Sequence, residues 1–263
     1  ATTSLLHVDD VFRPTPEHES PLRVPPFAPP LCYHLSTLVP LLATLSSGVS
    51  YALLASTAPS IRAALNLSST LVTPERESIP LPLNDALWAL VVAAHPLGAA
   101  AATLVLAPSA ARLERRRILC AACLAICVGS CVAAASALAS LRLAAAPLPT
   151  ALSTALPVLA LLVGRFSTGL SAGALSLTTP RYLGELAPAH RRGHLGALDR
   201  AAHLVGMAVA LLVGSATSLP HACTLMLPSV PAAALLALQP LLVHPPHHYA
   251  DAGAAEAALA RLR

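Results

Sequence analysis

Charge is scarce in this 263-residue sequence, because only 11% of its residues are charged while 56% are hydrophobic. Soluble domains carry about a quarter charged residues, so the composition indicates a protein surrounded by lipid. Lysine is absent, and all 16 basic residues are arginines. Aromatic residues make up only 3%, so the belts of Trp and Tyr that mark membrane interfaces are thin. The ends of any spans must therefore be inferred from the arginines.

The sequence also lacks the patterns of an enzyme or a nucleic-acid-binding protein. It contains no nucleophile–base pair and no glycine-rich phosphate loop, and the net charge of +4 comes from arginines at the ends of apolar runs. Four cysteines share one stripe of a predicted helix. A metal site is the alternative for them, but packing of small apolar side chains is the favoured interpretation. We expect no enzymatic activity, no cofactor, no metal and no nucleic-acid partner. The four cysteines are Cys120, Cys123, Cys127 and Cys131.

Long runs without Asp, Glu, Arg or Lys dominate the rest of the chain. A helix needs about 20 residues to cross the hydrocarbon core of a bilayer, and several runs reach that length. They predict an all-α membrane protein with six transmembrane helices in the lipid bilayer. The predicted spans are residues 35–58, 86–110, 118–140, 152–178, 195–217 and 222–243.

Composition divides the chain into three regions. Seven prolines occur among the first thirty residues, so residues 1–34 are predicted to form a disordered Pro-rich cytoplasmic tail. Residues 35–243 form the predicted six-helix transmembrane domain. Residues 244–263 end with alanine, leucine and arginine at helical spacing, which predicts a short cytoplasmic amphipathic helix or linker.

Arginine asymmetry predicts the orientation of the spans. The loops after spans two and four and the C-terminal tail hold nine arginines, and the opposite side holds Arg62, Arg76 and Arg142. Cytoplasmic loops are enriched in arginine, so both termini are expected in the cytoplasm, with the plasma membrane as the expected location. The loop at about 59–85 then lies outside, and its Asn66-Leu67-Ser68 sequon predicts glycosylation at Asn66.

Span four carries the densest set of unusual residues, in the stretch GRFSTGLSAGALSLTTPRYLGELAPAHRRG. Gly169 and Gly173 form a small-xxx-small pair that lets two helices approach closely. Arg165 is costly inside a membrane, so it either reaches water at the edge of the span or faces a cavity or partner. Pro180 is predicted to end the helix together with Pro188.

The end of this stretch is charged. Glu185 is followed by Arg192, and the two form an ion pair, reach charges on another segment, or belong to a solvated loop. The sequence by itself leaves these three alternatives open.

The spacing of residues in this stretch resembles the sugar-porter signature of the major facilitator superfamily, in particular that of the facilitative glucose transporters. The residues that carry the resemblance are Gly164, Arg165, Gly169, Gly173, Pro180, Tyr182, Glu185, Arg192 and Gly193. Trp88 and Gly98, with Arg112, Arg115 and Arg116, match the second span and its following loop. In span one, Tyr51 and Pro59 match. The resemblance covers residues 35–263 and implies the N-terminal half of a major facilitator fold, built as a 3+3 inverted repeat.

The resemblance implies roles for particular residues. Gly98, Gly164, Gly169 and Gly173 would pack helices, and Arg112, Arg115, Arg116, Glu185 and Arg192 would form a cytoplasmic gating latch. The loop departs from the family pattern at Ala111 and Glu114, where an acid or amide and a glycine are usual. The segment after span six is also degenerate. Both departures put the latch in doubt.

The substrate cavity departs from the family as well. Arg200 stands where the family has a sugar-binding glutamine, and His203 and Met207 follow on the same helical face. Tyr51 and Arg165 are the other expected cavity residues. Arginine donates hydrogen bonds but accepts none, so its presence implies an acidic partner, an anionic substrate or loss of transport.

These observations predict transport of a hexose or related sugar by facilitated diffusion with alternating access. Proton coupling is disfavoured because no Asp, Glu, His, Lys or Arg lies between His34 and Arg62. The alternative is a truncated, non-transporting sugar-porter paralogue that acts as a membrane interaction protein. For transport, the expected partners are a small sugar and a missing C-terminal six-helix half or a second copy of the chain.

Overall fold

The computed structural model describes residues 30–65, 70–72, 78–80, 82–108, 114–143, 150–187, 191–216 and 221–239. The predictions for most of the Pro-rich tail, for Asn66, for Arg112 and for residues 244–263 lie outside these ranges.

Five long helices form the described protein, and each is long and apolar enough to cross a membrane. The predicted helical fold is confirmed by this architecture. The helices begin and end close to the predicted spans, because the uncharged runs in the sequence set their apolar lengths. In chain order they are α1 (Pro30–Ala64), α2 (Pro82–Leu106), α3 (Arg115–Leu143), α4 (Thr150–Leu186) and α5 (Arg192–Ala216).

The sixth predicted span is interrupted. It contains two short helices, α6 (His221–Met226) and α7 (Ser229–Ala237), joined by a turn at Leu227 and Pro228. Proline has no backbone N–H to continue a helix, which explains the break. The Ser46 hydroxyl of α1 donates a hydrogen bond of 2.5 Å to the buried Pro228 carbonyl oxygen, and this hydrogen bond joins the break to α1.

Two local predictions need correction. Pro180 does not end the fourth span, because α4 continues through it to Leu186. The segment between α1 and α2 also contains a small antiparallel hairpin, formed by β1 (Thr70–Val72) and β2 (Ser78–Pro80), with Leu71 opposite Ile79. It is a minor addition to the helical fold.

The helices pack in two matching pairs. α1 lies along α5, α2 lies along α4, and α1 also contacts α4 near the centre of the bundle. An inverted repeat relates the first three helices to the last three, so α1 corresponds to α4 and α2 corresponds to α5. The α1–α5 pair is therefore equivalent to the α4–α2 pair. α3 packs on the outer side of α4, and α6 and α7 contact both α1 and α3.

Glycines allow the paired helices to come into backbone contact. A Cβ atom at Gly169 or Gly173 would collide with the carbonyl oxygen of His95 or Ala99 in α2. Gly98 faces α4 in the same way, and Gly164 faces Gly129 of α3. In the other pair, Gly206 of α5 lies against the Leu45 carbonyl of α1. Close helix contact through small residues is the main packing device available in lipid.

Candidate functional site

A cavity of about 310 Å³ opens between α1, α2, α4 and α5. Its polar wall consists of hydroxyl side chains, among them Ser47 of α1, Thr103 of α2 and Ser176 of α4, and of charged groups on α5. Its apolar wall consists of Leu175, three alanines and Gly173, and the small residues leave the space open. Hydroxyls and charged groups converging in one concave site are typical of a small-molecule site.

Two of the five predicted cavity residues line this space. Arg200 and His203 both face it from α5, and Arg200 is exposed. Met207, one turn further along α5, packs instead against the apolar core around Val49 and Leu53. Tyr51 and Arg165 belong to a neighbouring cluster.

Asp199 also lines the cavity, although the sequence predicts only Arg200, His203 and Met207 for the cavity face of α5. Asp199 is only 4% exposed. Thr44 lines the same cavity and donates its hydroxyl to the Leu41 carbonyl oxygen, and Arg200 and His203 lie within electrostatic range of the Asp199 carboxylate. Its Oδ1 atom has no hydrogen-bond partner among the described residues. Consecutive side chains on a helix point about 100° apart, and a cavity that wraps around α5 receives both.

Arg165 is enclosed by the bundle rather than exposed at its edge, because only 7% of its surface is accessible. Its Nη1 atom donates a hydrogen bond of 2.6 Å to the Ser50 carbonyl oxygen of α1. Its Nε atom has no hydrogen-bond partner in the described part of the chain. Ser50 lies six residues beyond Thr44, or about 9 Å along the helix, so Arg165 lies deeper in the bundle than the cavity's charged wall.

His95 completes a cluster with Arg165 and Tyr51. The rings of Tyr51 and His95 meet edge to face, with centroids 5.7 Å apart and planes inclined by 76°. His95 is 2% exposed, whereas Tyr51 is 53% exposed. Neither ring nitrogen of His95 has a hydrogen-bond partner among the described residues. Sequence reasoning missed His95, and the available signal was a single histidine inside an otherwise apolar span.

A second polar site ties α3 to α4 at the end of the bundle where α3 begins. The Arg115 guanidinium donates two hydrogen bonds to Glu185 Oε1, of 2.8 and 3.1 Å. Both side chains are largely buried, with 14% and 20% of their surfaces exposed. Arg192 donates instead to the Ala187 carbonyl oxygen, at 3.4 Å. Glu185 therefore contacts another segment, which is one of the three alternatives that the sequence leaves open. Arg116, next to Arg115, is half-buried.

The opposite end of the bundle carries a more exposed contact. Arg62 of α1 forms an ion pair of 2.5 Å with Asp85 of α2, and the exposed fractions of the two side chains are 23% and 53%. The Arg62 guanidinium also lies 5.6 Å from the centroid of the Trp88 ring, within the range of a cation–π interaction.

Apolar membrane-length helices in an inverted repeat, with a polar cavity between the two helix pairs, define the class of protein as a solute-transporter domain. The family model described as "Sugar (and other) transporter" matches residues 36–263. The chain belongs to this sugar transporter family of the major facilitator superfamily.

Curated relatives agree with this family. Solute carrier family 2, facilitated glucose transporter member 5 of Equus caballus is 31% identical over 185 residues, which are 67% of this chain and 34% of the relative. Facilitated glucose transporter member 11 of Homo sapiens is 31% identical over 192 residues, which are 71% of this chain and 36% of the relative. The chain thus spans about a third of the length of these relatives.

Solved structures support the fold. The partially occluded, inward-open xylose transporter XylE from E. coli superposes with a TM-score of 0.67 at 20% identity, covering 88% of this chain and 55% of the other. The proton:xylose symporter XylE bound to 6-bromo-6-deoxy-D-glucose gives a TM-score of 0.66 at 20% identity, covering 88% and 50%. The chain is therefore similar to half of a major facilitator fold.

Proposed function

We propose that this chain carries a hexose or related sugar across a membrane by facilitated diffusion with alternating access. The observation that carries the proposal is the polar cavity between α1, α2, α4 and α5, with Arg200 on its wall. Arg200 stands at the position where the family resemblance implies a sugar-binding amide. A volume of about 310 Å³ is in the range of small-molecule sites. The glucose transporter names of the curated relatives support the substrate class.

The proposed substrate path begins in this cavity and continues deeper into the bundle. Arg200 and His203 would contact the sugar first, and Met207, Tyr51 and Arg165 would contact or guide it further in. The exposed ring of Tyr51 covers the buried His95, so a rotation of Tyr51 would expose unsatisfied nitrogens to the path. Such a path explains why a costly buried arginine is retained inside a membrane domain.

We propose that Arg115 and Glu185 belong to a gating latch, together with Arg112, Arg116 and Arg192. The two hydrogen bonds between Arg115 and Glu185 support a latch because they join the start of α3 to the end of α4. Both residues lie in this half, so as members of a latch they would also contact the other half, and alternating access needs contacts between the halves to form and break. The other half is the proposed partner, either a C-terminal six-helix half or a second copy of the chain.

The proposed location is the plasma membrane, with both termini, the Pro-rich tail and residues 244–263 in the cytoplasm. Among described residues, the end that holds Arg115 also holds Arg116, Arg117, Arg181, Arg191 and Arg192, whereas Arg62 and Arg142 lie toward the other end. The positive-inside tendency favours the first end for the cytoplasm. Asn66 would then face outward, where its sequon is open to glycosylation.

Uptake of radiolabelled D-glucose by cells that lack their own hexose transporters tests this function. We expect saturable uptake of D-glucose above that of L-glucose, equilibrating without accumulation and unaffected by a protonophore. A surface-biotinylation assay controls for expression. Absence of stereospecific uptake by a well-expressed protein would contradict transport and favour the non-transporting membrane interaction protein.

A further inference from the structure

We propose that Asp199 and Arg200 act together as a paired site for neighbouring sugar hydroxyls. The Asp199 carboxylate accepts a hydrogen bond from one hydroxyl, and the Arg200 guanidinium donates one to the adjacent hydroxyl. The inference rests on the proposed function, and it adds Asp199 as a specificity-determining residue of the sugar site. The ligand class is a 1,2-diol, as found in every hexose and pentose ring.

The state of the Asp199 carboxylate is the first observation. It lines the cavity while being only 4% exposed. Oδ1 has no hydrogen-bond partner among the described residues, and the Thr44 hydroxyl on the same cavity wall donates to the Leu41 carbonyl oxygen instead. A buried carboxylate oxygen without a partner is costly, and such atoms call for a specific explanation. A donor that enters the cavity supplies one, and each sugar hydroxyl is such a donor.

Arg200 supplies the opposite chemistry in the same cavity. A guanidinium only donates hydrogen bonds, and an ionised carboxylate only accepts them. A glutamine at the Arg200 position would do both with one side chain. With arginine in its place, the adjacent Asp199 restores the missing acceptor, and the pair again offers one donor and one acceptor to a diol.

The two charges also stabilise each other's presence inside the bundle. Arg200 and His203 both lie within electrostatic range of the Asp199 carboxylate, and no described residue lining the cavity adds another charge. No ion pair between Asp199 and Arg200 occurs within the described residues. The two groups therefore balance in charge, and Oδ1 of Asp199 has no hydrogen-bond partner among the described residues with which a ligand would compete.

Competition binding to the complete 263-residue chain in lipid nanodiscs tests the pair. The probes are D-glucose and its 1-, 2-, 3-, 4- and 6-deoxy analogues, measured against radiolabelled D-glucose. We expect Asp199→Ala to weaken D-glucose binding about tenfold or more, the lower end for a charged hydrogen bond. Asp199→Asn keeps one acceptor oxygen, so its loss should be only about threefold.

The decisive readout is the coupling between variant and hydroxyl. One deoxy analogue should bind the wild-type chain about tenfold more weakly than D-glucose, and Asp199→Ala should bind both equally. Arg200→Ala should show the same loss of discrimination for a neighbouring hydroxyl. Asp85→Ala is the control for Asp199→Ala, and Arg191→Gln is the control for Arg200→Ala, because each removes a charge of the same sign outside the cavity. Both controls should leave the ratio of the affinities for D-glucose and each deoxy analogue unchanged.

Three results would overturn the pair. Asp199→Ala could bind D-glucose as tightly as the wild type, or lose affinity equally for D-glucose and all deoxy analogues, which is the signature of a structural role. If Asp199→Ala does not fold, Asp199→Leu fills the same space without an acceptor, and full wild-type discrimination in that variant overturns the pair equally. No binding of D-glucose, D-xylose or D-fructose by the folded wild-type chain would instead overturn the proposed function, and this inference with it.

Discussion

The α1–α5 and α2–α4 pairs occupy equivalent positions in the inverted repeat, yet they enclose different chemistry. Both are held by glycines against the backbone of the neighbouring helix. Between α2 and α4, with α1 beside them, the polar groups His95 and Arg165 are sealed. Between α1 and α5, Asp199 is buried beside an exposed Arg200 at the edge of an open cavity. The backbone packing is shared, and the α1–α5 pair supplies the charged groups of the cavity that both pairs line.

The largest expected effect comes from breaking the shared packing. Gly169→Ala and Gly206→Ala each place a methyl group against a backbone carbonyl of the partner helix. We expect each to lower the free energy of unfolding by about 1–3 kcal/mol, the usual cost of overpacking. Thermal unfolding of the purified protein in nanodiscs measures this.

Gly184→Ala is the matched control, because nothing lies within 4 Å of a Cβ atom at that position. It should leave stability unchanged or slightly raised, since alanine favours a helix over glycine. Equal behaviour of all three variants would show that the close glycine contacts do not hold the pairs together.

The second prediction separates the two arginines. Arg165 is buried and donates a hydrogen bond to a backbone carbonyl oxygen, and replacing buried charges by apolar groups of similar size is often neutral or stabilising. We expect Arg165→Met to raise the free energy of unfolding by about 1 kcal/mol and to abolish sugar uptake. Arg200→Met should instead lower the free energy of unfolding, because the buried Asp199 carboxylate loses a neighbouring positive charge. A strong loss of stability in Arg165→Met would mean that the arginine is retained for folding.

The smallest expected effects distinguish the two ends of the bundle. Glu185→Gln should lower the free energy of unfolding by about 1 kcal/mol, because its partner Arg115 is largely buried. Asp85→Asn should cost a few tenths of a kcal/mol at most, because Asp85 is 53% exposed. Chemical denaturation at low and high salt compares them. About 1 M salt should erase the Asp85 effect and leave most of the Glu185 effect, and the reverse order would contradict the burial difference.

Much of this fold could be predicted from the sequence because lipid imposes a simple rule. Each uncharged run had to be a helix, and the five long helices follow those runs. The interruption at Pro228 and the continuation through Pro180 could not be distinguished by the same rule. A proline bends or breaks a helix according to whether neighbouring groups satisfy the freed carbonyls, and those neighbours come from other helices.

The candidate site was less accessible to sequence reasoning. The family resemblance, counted along the chain from Arg192, implies that Arg200 and His203 line the substrate cavity, and both residues do line the cavity. Asp199 could not be predicted by spacing, because side chains at adjacent positions diverge, and only the width of the cavity brings it in. His95 had no periodic pattern to indicate it. The partner of Glu185 depended on how α3 meets α4, which is a tertiary contact.

Protection of an engineered cysteine by sugar tests most directly whether the cavity between the helix pairs holds the substrate. Thr103→Cys places a thiol on the cavity wall, and the native Cys223 is exposed near the start of α6 as an internal control. Modification of both by a small thiol reagent is followed by mass spectrometry of their peptides. The account predicts that saturating D-glucose, but not L-glucose, slows modification at position 103 and leaves Cys223 unaffected. Equal rates at position 103 with and without D-glucose would contradict it.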